Sequence, residues 1–214
     1  MRISTCLSVS LLLALALGLP PTAALADERE VYTLLEAGPS LVALDDPAGG
    51  LIRASSPGLN AQLSAYYGLS NAFHLGGFAR FVVARDVAFA GVAPRLPDGS
   101  APVGTFYEDA YQFGAGALVA YRLDTGYDFA PVGRLELGAA YLNYARLQHV
   151  PTGKDFGLSF PTVGEFAFGG RAVLALEYRI SNHLVASVGL GARYNFNALT
   201  VWQLDLPLSF GGIF

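Results

Sequence analysis

Lysine is nearly missing from this chain: among 214 residues it occurs once, as Lys154. Cysteine also occurs once, as Cys6, and charged residues make up only 14% of the sequence. A soluble β-domain hydrates its outer face with long charged and polar side chains, so this shortage argues against one. A single cysteine excludes a disulfide framework and cysteine-based metal sites. The net charge of −4 gives no footing for nucleic-acid binding, which needs a basic surface. Long apolar runs are missing beyond residue 26, although 53% of the sequence is hydrophobic. No stretch there approaches the ~18 apolar residues that mark a membrane-spanning helix.

What is present begins with an export signal. Residues 1–26 read as a secretory signal peptide. Arg2 gives the positive start and Leu7 to Leu19 the apolar stretch. Pro20-Pro21 break that stretch, and Ala24-Leu25-Ala26 forms a small-x-small cleavage pattern before Asp27. The apolar stretch is too short to cross a bilayer as a helix, which takes ~20 residues. Cys6 lies before it, not at the cleavage site, so lipidation is not expected. Cleavage leaves residues 27–214, enough for one domain, with net charge −5 once Arg2 is lost.

The apolar content of that domain is spread by alternation. Leu59, Ala61, Leu63, Ala65 and Tyr67 are separated by Asn60, Gln62, Ser64 and Tyr66. Tyr111, Phe113, Ala115, Ala117, Val119 and Tyr121 form a second set, and Phe166 to Tyr178 and Leu184 to Phe196 form two more. Period 2 places each set on one face of a strand. The opposite faces are rich in Gly, Ala and Arg, which suits a narrow barrel interior where glycine gives room and arginine pairs with carboxylates. The reading is all-β: an antiparallel up-and-down transmembrane barrel of eight strands, near 30–44, 58–68, 73–86, 108–123, 132–146, 165–180, 184–196 and 200–214.

Two further signals agree. From Phe166 to Tyr178 a strand rising ~3.3 Å per residue and tilted near 45° spans roughly 28 Å, close to the ~25 Å apolar band of such barrels. Tyr67, Tyr111, Tyr121, Phe166, Tyr178, Tyr194 and Trp202 are thus expected in two interfacial girdles. Short connections (68–72, 124–131, 180–183) alternate with longer ones (45–57, 86–107, 147–164), the pattern of periplasmic turns and outer loops. Ser70-Asn71 and Ser181-Asn182 read as matching turns, with Asn taking the φ > 0 position. Gly38-Pro39 interrupts the first strand, since proline sits badly in a closed sheet, and predicts a bulge there. Glu36, beside it, has no clear face.

The C-terminus carries a family resemblance. Leu204, Leu206, Leu208 and Phe210 alternate toward the terminal Phe214, and this segment resembles the closing-strand signal of bacterial outer-membrane barrels. Gly212 and Pro207 depart from that pattern. The whole domain resembles small OmpA/OmpX-type barrels, without the periplasmic domain of OmpA-like proteins. The resemblance implies residence in the outer membrane, contact with its lipid, and assembly by the barrel-assembly machinery through Leu206, Leu208, Phe210 and Phe214. A monomer is expected, and the ligand of the outer loops is not readable.

Lumen parity collects Arg80, Arg122, Arg134, Arg171, Arg179 and Arg193 with Glu136, Glu177 and Asp205. Charges buried in a protein-lined space should pair, and eight strands leave room only for side chains. The expectation is a filled barrel with a structural or surface-interaction role. A narrow transport path is the alternative. A lipid-modifying enzyme is less favoured: some small barrels carry His and Ser at the outer rim, but His74 and His183 fall at the short turns. His149 has Val150-Pro151 after it, and nothing fixes Ser159 or Glu165 beside it. No cofactor, catalytic residue or metal site is expected. Asp45-Asp46, Asp98 and Glu108-Asp109 read as solvated loop acids.

Overall fold

A computed structural model describes residues 30–46, 52–92, 104–150, 163–196 and 200–214, with side chains described for 30–43, 55–86, 109–143, 166–196 and 201–214. The segment read as a signal peptide and the centres of the three long loops lie outside the described residues.

Alternating side chains favour extended backbone, and the described residues form strands joined by short turns: β1 (Val31–Asp46), β2 (Ile52–Gly68), β3 (Phe73–Val92), β4 (Gly104–Arg122), β5 (Phe129–Val150), β6 (Val163–Ser181), β7 (Leu184–Phe196), β8 (Thr200–Asp205) and β9 (Leu208–Ile213). Sequential strands pair antiparallel from β1 to β8. β8 and β9 both pair with β7 on one side and β1 on the other, so they are two halves of one closing strand. Phe214 completes the seam by exchanging both backbone hydrogen bonds with Val31, at 2.9 and 3.0 Å. The result is a closed eight-stranded antiparallel barrel. Closure pairs the backbone polar groups within the sheet, which hydrocarbon surroundings require.

The expected bulge at Pro39 is not there. β1 holds one register against β2 from Val31↔Tyr67 to Asp46↔Ile52, and the same register against β8 and β9 on either side of the break. Proline is accommodated by losing single bonds. The Leu206 N–H donates to the Pro39 carbonyl at 3.0 Å, but Pro39 has no N–H to return. The Gly189 N–H donates to the Pro207 carbonyl at 2.9 Å, with the same one-sided result. The two prolines thus each cost one ladder bond, on opposite edges of the closing strand, and divide it into β8 and β9. Gly38 permits the close approach there, because a Cβ would strike the Leu206 carbonyl.

Four expected strands are too short at their long-loop ends. β2 starts at Ile52, β3 continues to Val92, β4 starts at Gly104 and β5 continues to Val150. Backbone pairing persists past the residues where apolar alternation fades. In β3 and β4 the extension crosses irregular pairing beside Asp86 (φ 52°) and Asp109, where the Asp86 N–H donates to the Asp109 carboxylate at 3.0 Å.

The Ser-Asn turns also work differently from expectation. Among the described residues Asp86 is the one non-glycine with positive φ, so neither Asn71 nor Asn182 adopts it. Serine organises both turns. The Ser70 hydroxyl accepts the Phe73 N–H at 3.1 Å, and the Ser181 hydroxyl accepts the His183 N–H at 3.2 Å. In the 123–128 connection the Asp124 carboxylate accepts the Gly126 N–H at 2.8 Å, and Gly126 takes φ 71°, which glycine adopts freely.

Candidate functional site: a filled lumen within an apolar wall

Period 2 sorts the side chains. Among the residues whose side chains are described, odd positions of β1 to β5 face outward and even positions inward. From β6 onward the parity reverses. Leu35, Leu59, Leu63, Leu137, Leu174, Leu190, Leu204 and Leu208 lie bare on the outside, Leu137 at 71% exposure. A continuous apolar outer wall of this kind is stable against lipid, not water. Tyr67, Phe73, Tyr121, Phe129 and Tyr178 sit on this wall toward the short turns. Tyr111, Phe113, Tyr141, Phe166, Phe168, Tyr194 and Trp202 sit toward the long loops. Neighbours pair across strands: Phe73 with Tyr121 at 5.0 Å, Tyr141 with Phe166 at 5.1 Å, and Tyr194 with Trp202 at 4.3 Å between ring centroids. Leu206, Leu208, Phe210 and Phe214 all face outward, and the Phe214 ring lies against the space left by Gly212.

The lumen is filled in layers. At the short-turn end Tyr32 and Tyr66 stack at 5.0 Å with His74 edge-on to both. Leu34, Phe78, Leu118, Val132, Val185 and Ile213 pack over them. Among the described residues two ion pairs rim this end, Arg179 with Glu30 at 2.9 Å and Arg122 with Glu177 at 3.2 Å. Glu30 follows from no motif in the sequence. His183 is exposed in its turn, and the His149 side chain lies outside the described residues.

Above this layer sits a fully buried ionic network. Arg171 (β6) is its centre: Nη2 donates to Glu36 Oε1 at 2.7 Å and to Asp205, and Nη1 donates to Glu136 Oε1 at 3.2 Å. Arg134 binds Glu36 at 2.5 Å from the other side. Arg80 binds Glu136, and its Nε donates to Gln62 Oε1 at 2.6 Å. Gln62 Nε2 then donates to Glu136 at 2.9 Å, and Asn60 Nδ2 to Asp205 at 2.9 Å. The network joins β1, β2, β3, β5, β6 and β8 across the barrel. Glycines make its room: a Cβ on Gly191 would overlap the Asp205 carboxylate and crowd Arg171.

Two features differ from the lumen set read in the sequence. Glu36, faceless in the sequence, points inward at 0% exposure and joins two arginines. Arg193, grouped there with the paired charges, meets no carboxylate among the described residues. Its Nε donates to Asn195 Oδ1 at 2.9 Å. Toward the long loops the interior turns apolar again with Val42, Val82, Ala84, Leu142 and Val201 around Gln112, and a small hollow remains between them. Among the described residues no group of three or more His, Cys, Asp or Glu is arranged to hold a metal ion.

Solved structures share this architecture. Neisserial surface protein A (NspA) superposes with a TM-score of 0.53 over 83% of this chain and 95% of its own, at 13% identity. A major outer membrane protein from Thermus thermophilus superposes with the same TM-score over 86% of this chain and 99% of its own, at 12% identity. No protein-family model matches the sequence, and no curated protein sequence is significantly similar to it. At these identities the likeness is one of fold. The fold is that of the small bacterial outer-membrane β-barrel.

Proposed function

We propose that this chain is an integral, monomeric barrel of the bacterial outer membrane with a structural or surface-interaction role, not a pore and not an enzyme. One observation carries the reading: the Arg171-centred network ties six of the strands together through the space a solute would use. The aromatic and aliphatic layer of Tyr32, Tyr66, Phe78 and Leu118 fills the same axis beneath it. A path for transport would need both layers to part, and buried, mutually bonded charges separate only at a cost of several kcal/mol. The girdles and the bare leucines supply lipid contact. The outward row Leu206, Leu208, Phe210 and Phe214 is the edge offered to the barrel-assembly machinery. In this reading the short turns face the periplasm, and the connections around 45–57, 86–107 and 147–164 face outward for whatever partner the protein meets.

The test is electrical. Purified barrel inserted into planar bilayers should give no discrete conductance steps. Steady, reproducible single-channel openings would reject the filled-lumen reading in favour of a narrow transport barrel.

A further inference from the structure

The buried charges of the central layer do not balance. Four guanidinium groups, of Arg80, Arg134, Arg171 and Arg193, are each at most 4% exposed. They share three carboxylates, of Glu36, Glu136 and Asp205, each at most 2% exposed. Every carboxylate is taken by Arg80, Arg134 or Arg171. The surplus falls on Arg193, and arginine does not give up its proton in proteins.

The polar atoms around Arg193 tell the same story. Arg193 Nη1, Asn195 Nδ2, Gln112 Nε2 and both side-chain polar atoms of Gln203 are buried without a hydrogen-bond partner. Four of these five atoms are donors. Gln203 is the cross-strand neighbour of Arg193, and Asn195 is its same-face neighbour two residues on. The Arg193 side chain reaches across the lumen toward β4, where a Cβ on Gly114 would lie 3.4 Å from Nη2. Gln112, two residues from Gly114 on the same inward face, stands in the wall of the apolar hollow with Val42, Val82, Leu142 and Val201. Unfilled donors thus occupy neighbouring inward positions of β7 and β8 and the facing Gln112 of β4, beside an apolar hollow. Bound water would satisfy the donors and leave the charge. A negative ion satisfies both, and an eight-stranded lumen filled by side chains leaves room only for a small one.

We propose that the lumen binds a small monovalent anion, a halide or the carboxylate of a short organic acid, held by Arg193, Asn195 and Gln203 below the hollow at the long-loop end. The site is independent of whether the barrel conducts. Its test uses the full-length barrel refolded in detergent and unfolded in urea. Ionic strength is held constant with a bulky sulfonate while bromide, or in a parallel series formate, replaces it. Binding of one ion to the folded state alone raises the folding equilibrium constant about tenfold for each tenfold rise in anion above its dissociation constant. The wild type should follow that unit slope in at least one series, and the better anion identifies the source. R193Q should show none of it, and in anion-poor buffer it should be at least as stable as the wild type. Should R193Q fail to fold, wild-type crystals soaked in bromide decide the matter. An anomalous peak against the Arg193 guanidinium supports the site, and its absence overturns it. A flat wild-type response in both series, or an equal response in R193Q, also overturns it.

Discussion

Replacing Arg171 by methionine removes the one cation that forms an ion pair with Asp205 among the described residues. Methionine keeps length and adapts its shape, so the packing loss is small and the electrostatic loss dominates. Glu36 keeps Arg134 and Glu136 keeps Arg80. Asp205 keeps only the Asn60 amide, at 2.9 Å and itself fully buried. Stranding one buried carboxylate in this way costs about 3–5 kcal/mol, a factor of roughly 10² to 10³ or more in the folded population. The assay is equilibrium urea unfolding of the refolded barrel in lipid vesicles, followed by the difference in gel mobility between folded and unfolded chains. Adding Asp205→Asn neutralises the stranded group, so R171M/D205N should recover at least half of the loss. A loss below about 1 kcal/mol in R171M, or no recovery in the double variant, would refute the network as drawn.

Other outcomes follow from the same geometry. Leu137→Arg places a charge on the outer wall between the girdles and should destabilise the barrel by ~2–4 kcal/mol in lipid. In a water-facing wall the same change is close to neutral, so vesicle-based unfolding separates the two settings. Gly191→Val forces a side chain into the Asp205–Arg171 contact and should cost about 1–3 kcal/mol or more. Gly133→Ala, whose Cβ would meet only Leu174 at 4.0 Å, should be neutral or stabilising by up to about 1 kcal/mol in the same assay. Tyr66→Ala removes half of the buried ring stack and should cost about 3–5 kcal/mol by urea midpoint.

The outer wall was legible in the sequence because its signal is local. Leu59 to Tyr67 or Phe166 to Tyr178 alternate without interruption, so each residue's face follows from its neighbours. The inward arginines inherited their side from that parity. Glu36 did not, because Gly38-Pro39 and Leu34-Leu35 blur the alternation around it. Only its pairing against β2 and β9 fixes its side. The bulge expected at Pro39 failed for a related reason: a proline in a sheet has two remedies, a bulge or a lost bond. The choice shows only in the pairing with Leu206, 167 positions away along the chain and opposite Pro39 across the seam. The partners of each arginine were equally out of reach. Arg171 and Arg193 look alike in sequence and even face each other in the β6–β7 register, yet among the described residues one meets three carboxylates and the other none. In the turns, asparagine's tolerance of positive φ goes unused, while the serine one residue earlier supplies the hydrogen bonds.

The most direct test of the barrel itself combines cell fractionation with gel mobility. The protein should pellet with outer membranes. Unheated in detergent it should also migrate as a compact folded band, shifting to the unfolded position only on boiling. Recovery of the protein as a soluble periplasmic species, with the same mobility before and after boiling, would contradict the account.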